Sequence, residues 1–328
     1  MGSVMEVRII STNQRDAAPV TVSFPIEDYE DTYRKLDAID AGDALARDCY
    51  VEEIYSDYDS LMALVGSEVN VDELDYLAKR FDSFCLSEDV RFEGAAVAAK
   101  ITGIEGFINL SFCEQATVID DFSDLYAVGK AHYMNKNSGG IAVSDHDRVD
   151  FRRVALDLIH NEDGQITPHG VVYLNGMELE RLYQGREFPL YIYKPCVLLV
   201  GAQQRSDPAS DITALYLPMP QICVERALKR GGLDAANLLV NVESYSVSSD
   251  LFRWIDWNGE KLEDLNKMAS AIASLDDKEL SALCVVSDRI EPGTACELRD
   301  LAYEMFPEHA QPEPEEKPPE QGMTMGGL

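Results

Sequence analysis

Two periods run through the apolar positions of this chain, and they predict a mixture of strands and helices. Val4–Ile10 and Val20–Phe24 are β-like runs. Pro25 opens a helix over Ile26–Ile39, in the first turn, where its missing N–H costs nothing. Glu27, Asp28, Glu30 and Asp31 crowd the positive end of that helix's dipole, which is locally favourable. Tyr50–Tyr55 reads as a short strand. Asn70 is a good N-cap with Glu73 at the capping-box position, opening a helix over Val71–Phe84. Leu74, Leu77, Ala78 and Phe81 fall at i, i+3, i+4 and i+7, an apolar stripe facing a core. Asp72, Glu73, Asp75 and Asp82 lie off the stripe, so their charge is expected to face water or a partner. Ser87 caps an alanine-rich helix reaching about Ile101, and helical patterns recur near Phe122–Met134.

From about Asn135 to Ser210 the pattern changes. Asn137-Ser138-Gly139-Gly140 reads as a loop, and Val149–His160 as a helix carrying Arg152 and Arg153. Val171–Leu174, Leu190–Tyr193 and Val197–Val200 read as strands of a small mixed or β-rich module. The next segment repeats the plan of the first. Thr213–Leu217 with Pro218 matches Thr21–Phe24 with Pro25, and a helix from about Ile222 to Lys229 ends at Gly231-Gly232. Asn241-Val242-Glu243 resembles Tyr50-Val51-Glu52; Leu262–Ala269 echoes Val71–Ala78, and Asp277–Val286 parallels Glu88–Val97. This shared order of elements predicts a duplicated unit. Pro307–Leu328, rich in Pro and Glu, reads as a disordered tail. The expected division is 1–135, 136–210, 211–306 and 307–328, in an α+β fold.

Charge changes this picture most. The 328 residues carry 59 Asp and Glu against 28 Lys and Arg, a net charge of −31, and the surplus is uneven. Residues 1–135 hold 27 acids and ten bases, and between Asp37 and Asp89 fifteen acids are opposed only by Arg47, Lys79 and Arg80. Folding such a segment costs self-repulsion, which a stability argument alone does not explain. A surface this negative repels DNA and anionic membrane, and attracts proteins with basic clefts, most commonly those that hold nucleic acid. Solubility or a halophilic composition (eleven lysines, many aspartates) are the plainer explanations. A hydrophobic content of 46% is ordinary, so the charge is no sign of wholesale disorder.

Little in the chain points to catalysis or cofactors. The seven scattered cysteines contain no Cys-x-x-Cys pair, so neither a disulfide frame nor a zinc knuckle is expected. There is no Gly-Lys-Ser/Thr phosphate loop, no Gly-x-Gly-x-x-Gly after a strand and no Gly-x-Ser-x-Gly elbow. Asp57-Tyr58-Asp59 begins like a calcium loop but lacks its central Gly and terminal Glu. His132, His146, His160, His169 and His309 are too dispersed for an obvious metal cluster; Asp145-His146-Asp147 with His160 is a faint phosphohydrolase-like exception that a helix-entry loop explains as well. The N-terminus has no signal-peptide pattern and no run approaches a membrane span, so a cytoplasmic protein is expected, with no cofactor, no nucleic acid and no membrane among its partners.

The remaining idea is mimicry. B-DNA presents one negative charge per roughly 1.7 Å of axis, and carboxylates on short helices could reproduce part of that field. The run from Tyr50-Val51-Glu52-Glu53-Ile54 through Val71–Phe81 to Phe92-Glu93-Gly94 resembles ArdA-type antirestriction proteins. Ile108-Asn109-Leu110, the Asp121–Met134 helix, Ile166–Tyr173 and Tyr183-x-Gly185 are similar to later portions of the family, and Leu262–Val286 to a second, diverged copy of its core. Each motif is short; their order and the charge carry the likeness. The resemblance implies an elongated array of small mixed α/β and helical modules, with a duplicated unit and a possible homodimer. It also implies a non-enzymatic inhibitor that occupies the basic DNA-binding groove of a type I restriction–modification enzyme. The residues expected to stand in for phosphates are Asp37, Asp40, Asp43, Asp48, Glu52, Glu53, Asp57, Asp59, Asp72, Glu73, Asp75, Asp82, Glu88, Asp89 and Glu93, with Asp120, Asp121 and Asp124 continuing the surface. The competing expectations are an inhibitor of another DNA-binding machine, such as a CRISPR effector, and an acidic scaffold or adaptor of a mobile element.

Overall fold

Alternation in the first strands builds a sheet with one dry face. The computed structural model describes residues 3–113, 115–137, 140–145, 148–207 and 211–310. It is a mixed α+β fold that forms two compact units. The first takes the chain up to Pro195 with Ala202–Leu215 and Pro220–Leu239; the second takes Cys196–Gly201, Tyr216–Met219 and the chain from Val240. Residues 136–195, read from sequence as part of a separate middle module, therefore belong to the first unit.

In the first unit β1 (Met5–Ser11), β2 (Val20–Phe24), β3 (Cys49–Ser56) and β4 (Glu68–Val69) form an antiparallel sheet in the order β2-β1-β3-β4. Met5, Val7, Ile9, Val22, Phe24, Val51 and Ile54 point to its buried face, in one core with Leu74, Leu77 and Phe81 of α2 (Val71–Asp82). Each such side chain contributes about 1.5–3 kcal/mol when fully buried. The helix α1 (Tyr29–Asp37) starts three residues later than its pattern predicts. Asp28 is its N-cap, accepting the N–H of Asp31, and Pro25 instead lies in the turn after β2, behind a cis bond. A side-chain acceptor satisfies an open helical N–H, which proline cannot do. Likewise α3 (Leu86–Ala99) has Cys85 as its N-cap rather than Ser87, with Glu88 reaching back 2.7 Å to the N–H of Cys85.

Beyond α4 (Ile104–Leu110), strand β5 (Thr117–Ile119) leads to a hairpin of α5 (Leu125–Lys136) and α6 (Phe151–Asn161). The hairpin requires Gly129. A Cβ there would stand 1.7 Å from the carbonyl oxygen of Phe151, so the two backbones touch. Gly129→Ala is expected to force the helices apart, costing about 1–3 kcal/mol in a thermal or urea melt; an unchanged melt would remove this contact from the account. Strands β6 (Gln165–Thr167) and β7 (Gly170–Tyr173) join β5 in a second small sheet. The predicted strand Leu190–Tyr193 is not one. It is part of an irregular strap held on α2 by side chains: Tyr76 donates to the Pro189 carbonyl (2.8 Å), and Tyr193 to Asp82. Its alternation is genuine, since Leu190 and Ile192 are exposed while their neighbours face the helix, but no strand pairs with it among the described residues.

The remaining elements are β8 (Leu198–Gln204), β9 (Thr213–Leu217), α7 (Gln221–Arg230), β10 (Leu238–Tyr245), α8 (Leu262–Ala273), α9 (Asp277–Ile290) and α10 (Ala295–Met305). They repeat the first elements closely. The strand order β9-β8-β10 corresponds to β2-β1-β3, and a cis proline follows both β2 and β9. Helices α2 and α8 have 12 residues each, α3 and α9 have 14, and the last pair end on Lys100 (φ 56°) and Glu291 (φ 59°), both left-handed. The fifth residue of α2, Asp75, accepts the N–H of Ile26 just past the cis proline; the fifth of α8, Asn266, does the same for Met219, at 2.8 and 2.9 Å. Of the segment read as a tail, Pro307–His309 forms a 3-10 turn, and residues 311–328 lie outside the described residues.

Candidate acidic interaction surface

The acids picked out by sequence separate into three groups. Asp48, Glu73, Asp75 and Glu93 are buried, between 1% and 6% exposed, so they are corrected from partner-facing to internal groups. A buried carboxylate survives when it is hydrogen bonded, and more readily when a cation pairs with it. All four are hydrogen bonded, and Glu73, Asp75 and Glu93 also have a basic side chain beside them. Glu73 accepts from Arg47 (2.6 Å), the Tyr183 hydroxyl (2.9 Å) and the N–H of Asn70 (2.9 Å), closing the capping box of α2. Asp75 accepts from the N–H of Ile26 and from Tyr29 (2.9 Å), and pairs with Lys79 at 2.7 Å. Burial, then the negative charge of Asp75, pushes the Tyr29 phenol far above its ordinary value, so it stays a donor. Glu93 accepts from the N–H and hydroxyl of Ser60, with His169 at 3.5 Å. Asp48 accepts the N–H of Asp43 at 2.8 Å.

A second group is half-buried and engaged. Asp72 is held by Arg226 and Arg230, each 3.0 Å away, and by the Tyr33 hydroxyl. Both arginines come from α7, which carries its cations on one face. Asp43 pairs with Lys229 of the same helix at 2.6 Å; that contact, helped by the N–H groups of Ala46 and Leu45, holds its carboxyl well below the usual carboxylate range. Asp82 accepts from Tyr193, Asp89 from Tyr58, and Glu88 caps α3. Glu52 and Glu53 sit at a β-bulge, where two residues of β3 oppose Arg8 of β1. Arg8 contacts both carboxylates, at 2.7 and 3.7 Å.

The third group is open. Asp37, Asp40, Asp57, Asp59, Asp120, Asp121 and Asp124 are exposed. Asp124 caps α5 and Asp121 binds Ser123, whereas Asp37, Asp40, Asp57, Asp59 and Asp120 hold no side-chain hydrogen bond or ion pair among the described residues. Asp40 is held in a left-handed conformation (φ 54°), its carbonyl accepting from Ser11 (2.8 Å) and Asn13 (3.0 Å). With Asp37, Asp43, Asp48 and Glu225 it lines an open depression of about 550 Å³, in which Arg226 and Lys229 are the cations.

Sequence reading missed Glu6, Glu68 and Glu225. Glu6 and Arg8 alternate with the buried Met5, Val7 and Ile9, and Glu68 lies opposite Tyr50, so strand alternation was the available signal for the first two. Of the phosphohydrolase-like set, His146 and Asp147 lie outside the described residues. Among the described residues no helix is long and apolar enough to cross a membrane. Neither the protein-family models nor the curated proteins contain a match to this chain.

Proposed function

We propose that the protein is a non-enzymatic DNA mimic of ArdA type, which occupies the DNA-binding groove of a type I restriction–modification enzyme. The observation that carries this reading is the division of labour among its acids. Those the fold uses are inside or paired, and the exposed Asp37, Asp40, Asp57, Asp59 and Asp120 are not engaged by the described residues. Their cost in self-repulsion is offset when a partner's arginines and lysines replace water and counterions around them. The internal partners also keep the open carboxylates fixed. The open Asp40 sits on a turn tied to β1 through its own carbonyl and to α7 through the Asp43–Lys229 pair, so little ordering entropy is lost when a basic surface arrives.

The experiment is displacement of labelled duplex DNA from a purified type I methyltransferase core. Near-stoichiometric protein is expected to release the DNA, and less of it as salt rises, because exposed charge pairs are screened within about 8–10 Å at physiological ionic strength. DNA that stays bound at every salt concentration removes this target. A pull-down of a different DNA-binding machine would then favour the broader mimic, and capture insensitive to salt the scaffold.

A further inference from the structure

Three metal-ligating side chains meet in the second unit. Glu279, Glu308 and His309 each offer a ligand atom, and these atoms lie within 4.8 Å of one another. The 3-10 turn Pro307–His309 brings the last two, and α9 supplies Glu279 from its first turn. The Nε2 of His309 is 3.2 Å from Oε1 of Glu279. Two ligands at roughly 2.0–2.1 Å from a common zinc, at tetrahedral to octahedral angles, are about 2.8–3.4 Å apart. The pair therefore already has the spacing of adjacent ligands.

The site is also braced from behind. The other oxygen of Glu279 accepts the N–H of Asp276 at 2.8 Å, and Asp276 in turn caps the N–H groups of Lys278 and Glu279. Only Oε1 is left to face the turn. The backbone N–H of His309 is fixed on the Phe306 carbonyl at 3.1 Å. Such outer contacts orient ligands and strengthen binding. A plain imidazolium–carboxylate pair needs only one carboxylate, whereas Glu308 supplies a second. Glu308 is exposed, while His309 and Glu279 keep 26% and 22% of their side chains open, which leaves room for water to complete a coordination shell.

We propose that Glu279, Glu308 and His309 bind one divalent transition cation of the zinc class, which fastens the 307–309 turn to α9. One imidazole and two carboxylates suit zinc, manganese or iron(II) better than the all-oxygen shells of calcium and magnesium.

The test uses the full chain in about 0.15 M salt with excess Mg²⁺, so that loose carboxylate binding is screened and occupied. Zn²⁺ is titrated by calorimetry, and Co²⁺ by its visible absorption. One equivalent is expected, with cobalt bands showing a nitrogen ligand. His309→Ala and Glu279→Gln should each weaken binding by more than about tenfold, while far-UV ellipticity without metal stays that of the parent. Equal binding by parent and His309→Ala overturns the site, as does binding of several equivalents that Mg²⁺ displaces.

Discussion

Asp72→Ala should lower the unfolding free energy by about 3–5 kcal/mol, the usual cost of removing one partner from a buried ion cluster. The change strands two cations at once. Arg226 and Arg230 keep only 14% and 6% of their side chains exposed, and Asp72 is the carboxylate that both contact. Their remaining acceptors are the carbonyls of Gly42, Asp43 and Arg186 and the Asn70 side chain, which satisfy N–H groups but do not neutralise charge. Arg226 also lies 4.0 Å from the centre of the Tyr33 ring, and Arg230 4.5 Å from that of Phe188, contacts worth less than a full charge partner. Urea unfolding followed by far-UV ellipticity would read the loss. Both tryptophans, Trp254 and Trp257, lie in the second unit, so their emission reports that unit separately. The control is a triple apolar replacement, Asp72→Leu with Arg226→Met and Arg230→Met. With no orphaned charge it should recover most of the loss. If Asp72→Ala costs under about 1 kcal/mol, or the triple variant is worse than the single one, the cluster is not held by its charges.

This cluster marks the limit of what the sequence made legible. The capping box at Asn70 and Glu73, the strand Thr213–Leu217 and the helical stripe of α2 all follow from local chemistry, and the structure has them. The repeated order of elements was legible for the same reason, since prolines, caps and stripes recur at matching intervals. What failed was the inference from polarity to exposure. Glu73 and Asp75 lie off the apolar stripe of α2, yet both are buried, because other parts of the first unit bring cations and phenols to that face. Arg47, Tyr183 and Tyr29 lie at least 26 residues away in sequence from the acids they meet. No periodicity within α2 can announce partners so distant. A signal was present in α7, where Arg226 and Arg230 fall at i, i+4 in a chain otherwise poor in bases. A cationic stripe on one helix of an acidic protein predicts that the helix docks on its own acids. The metal-ligating trio was hidden in the same way: His309 is far in sequence from Glu279, and only the turn after α10 joins them.

Converting Asp37, Asp40, Asp57, Asp59 and Asp120 together to Asn should weaken DNA displacement on the order of a hundredfold, while each single change weakens it less than about fivefold. The estimate follows from the 0.2–1 kcal/mol typical of exposed ion pairs, compounded over the five sites that the mimicry proposal sets against a basic partner. These five are chosen because their side chains hold no hydrogen bond or ion pair among the described residues. The buried acids are unsuitable for the experiment: Glu73→Gln or Asp75→Asn would weaken the ion pair with Arg47 or Lys79 at its buried end, and lost activity would then report lost structure. The quintuple variant should keep the parent's far-UV spectrum and melt at least as high, since removing five like charges relieves self-repulsion. Its inhibition should also depend less steeply on salt, because fewer charges contribute to the interaction. Full inhibition by this variant would sink the mimicry model, since these five are the exposed carboxylates to which it assigns the contact. Loss of inhibition with an unchanged salt slope would point instead to a specific contact at one of the five positions, which the single substitutions would then identify.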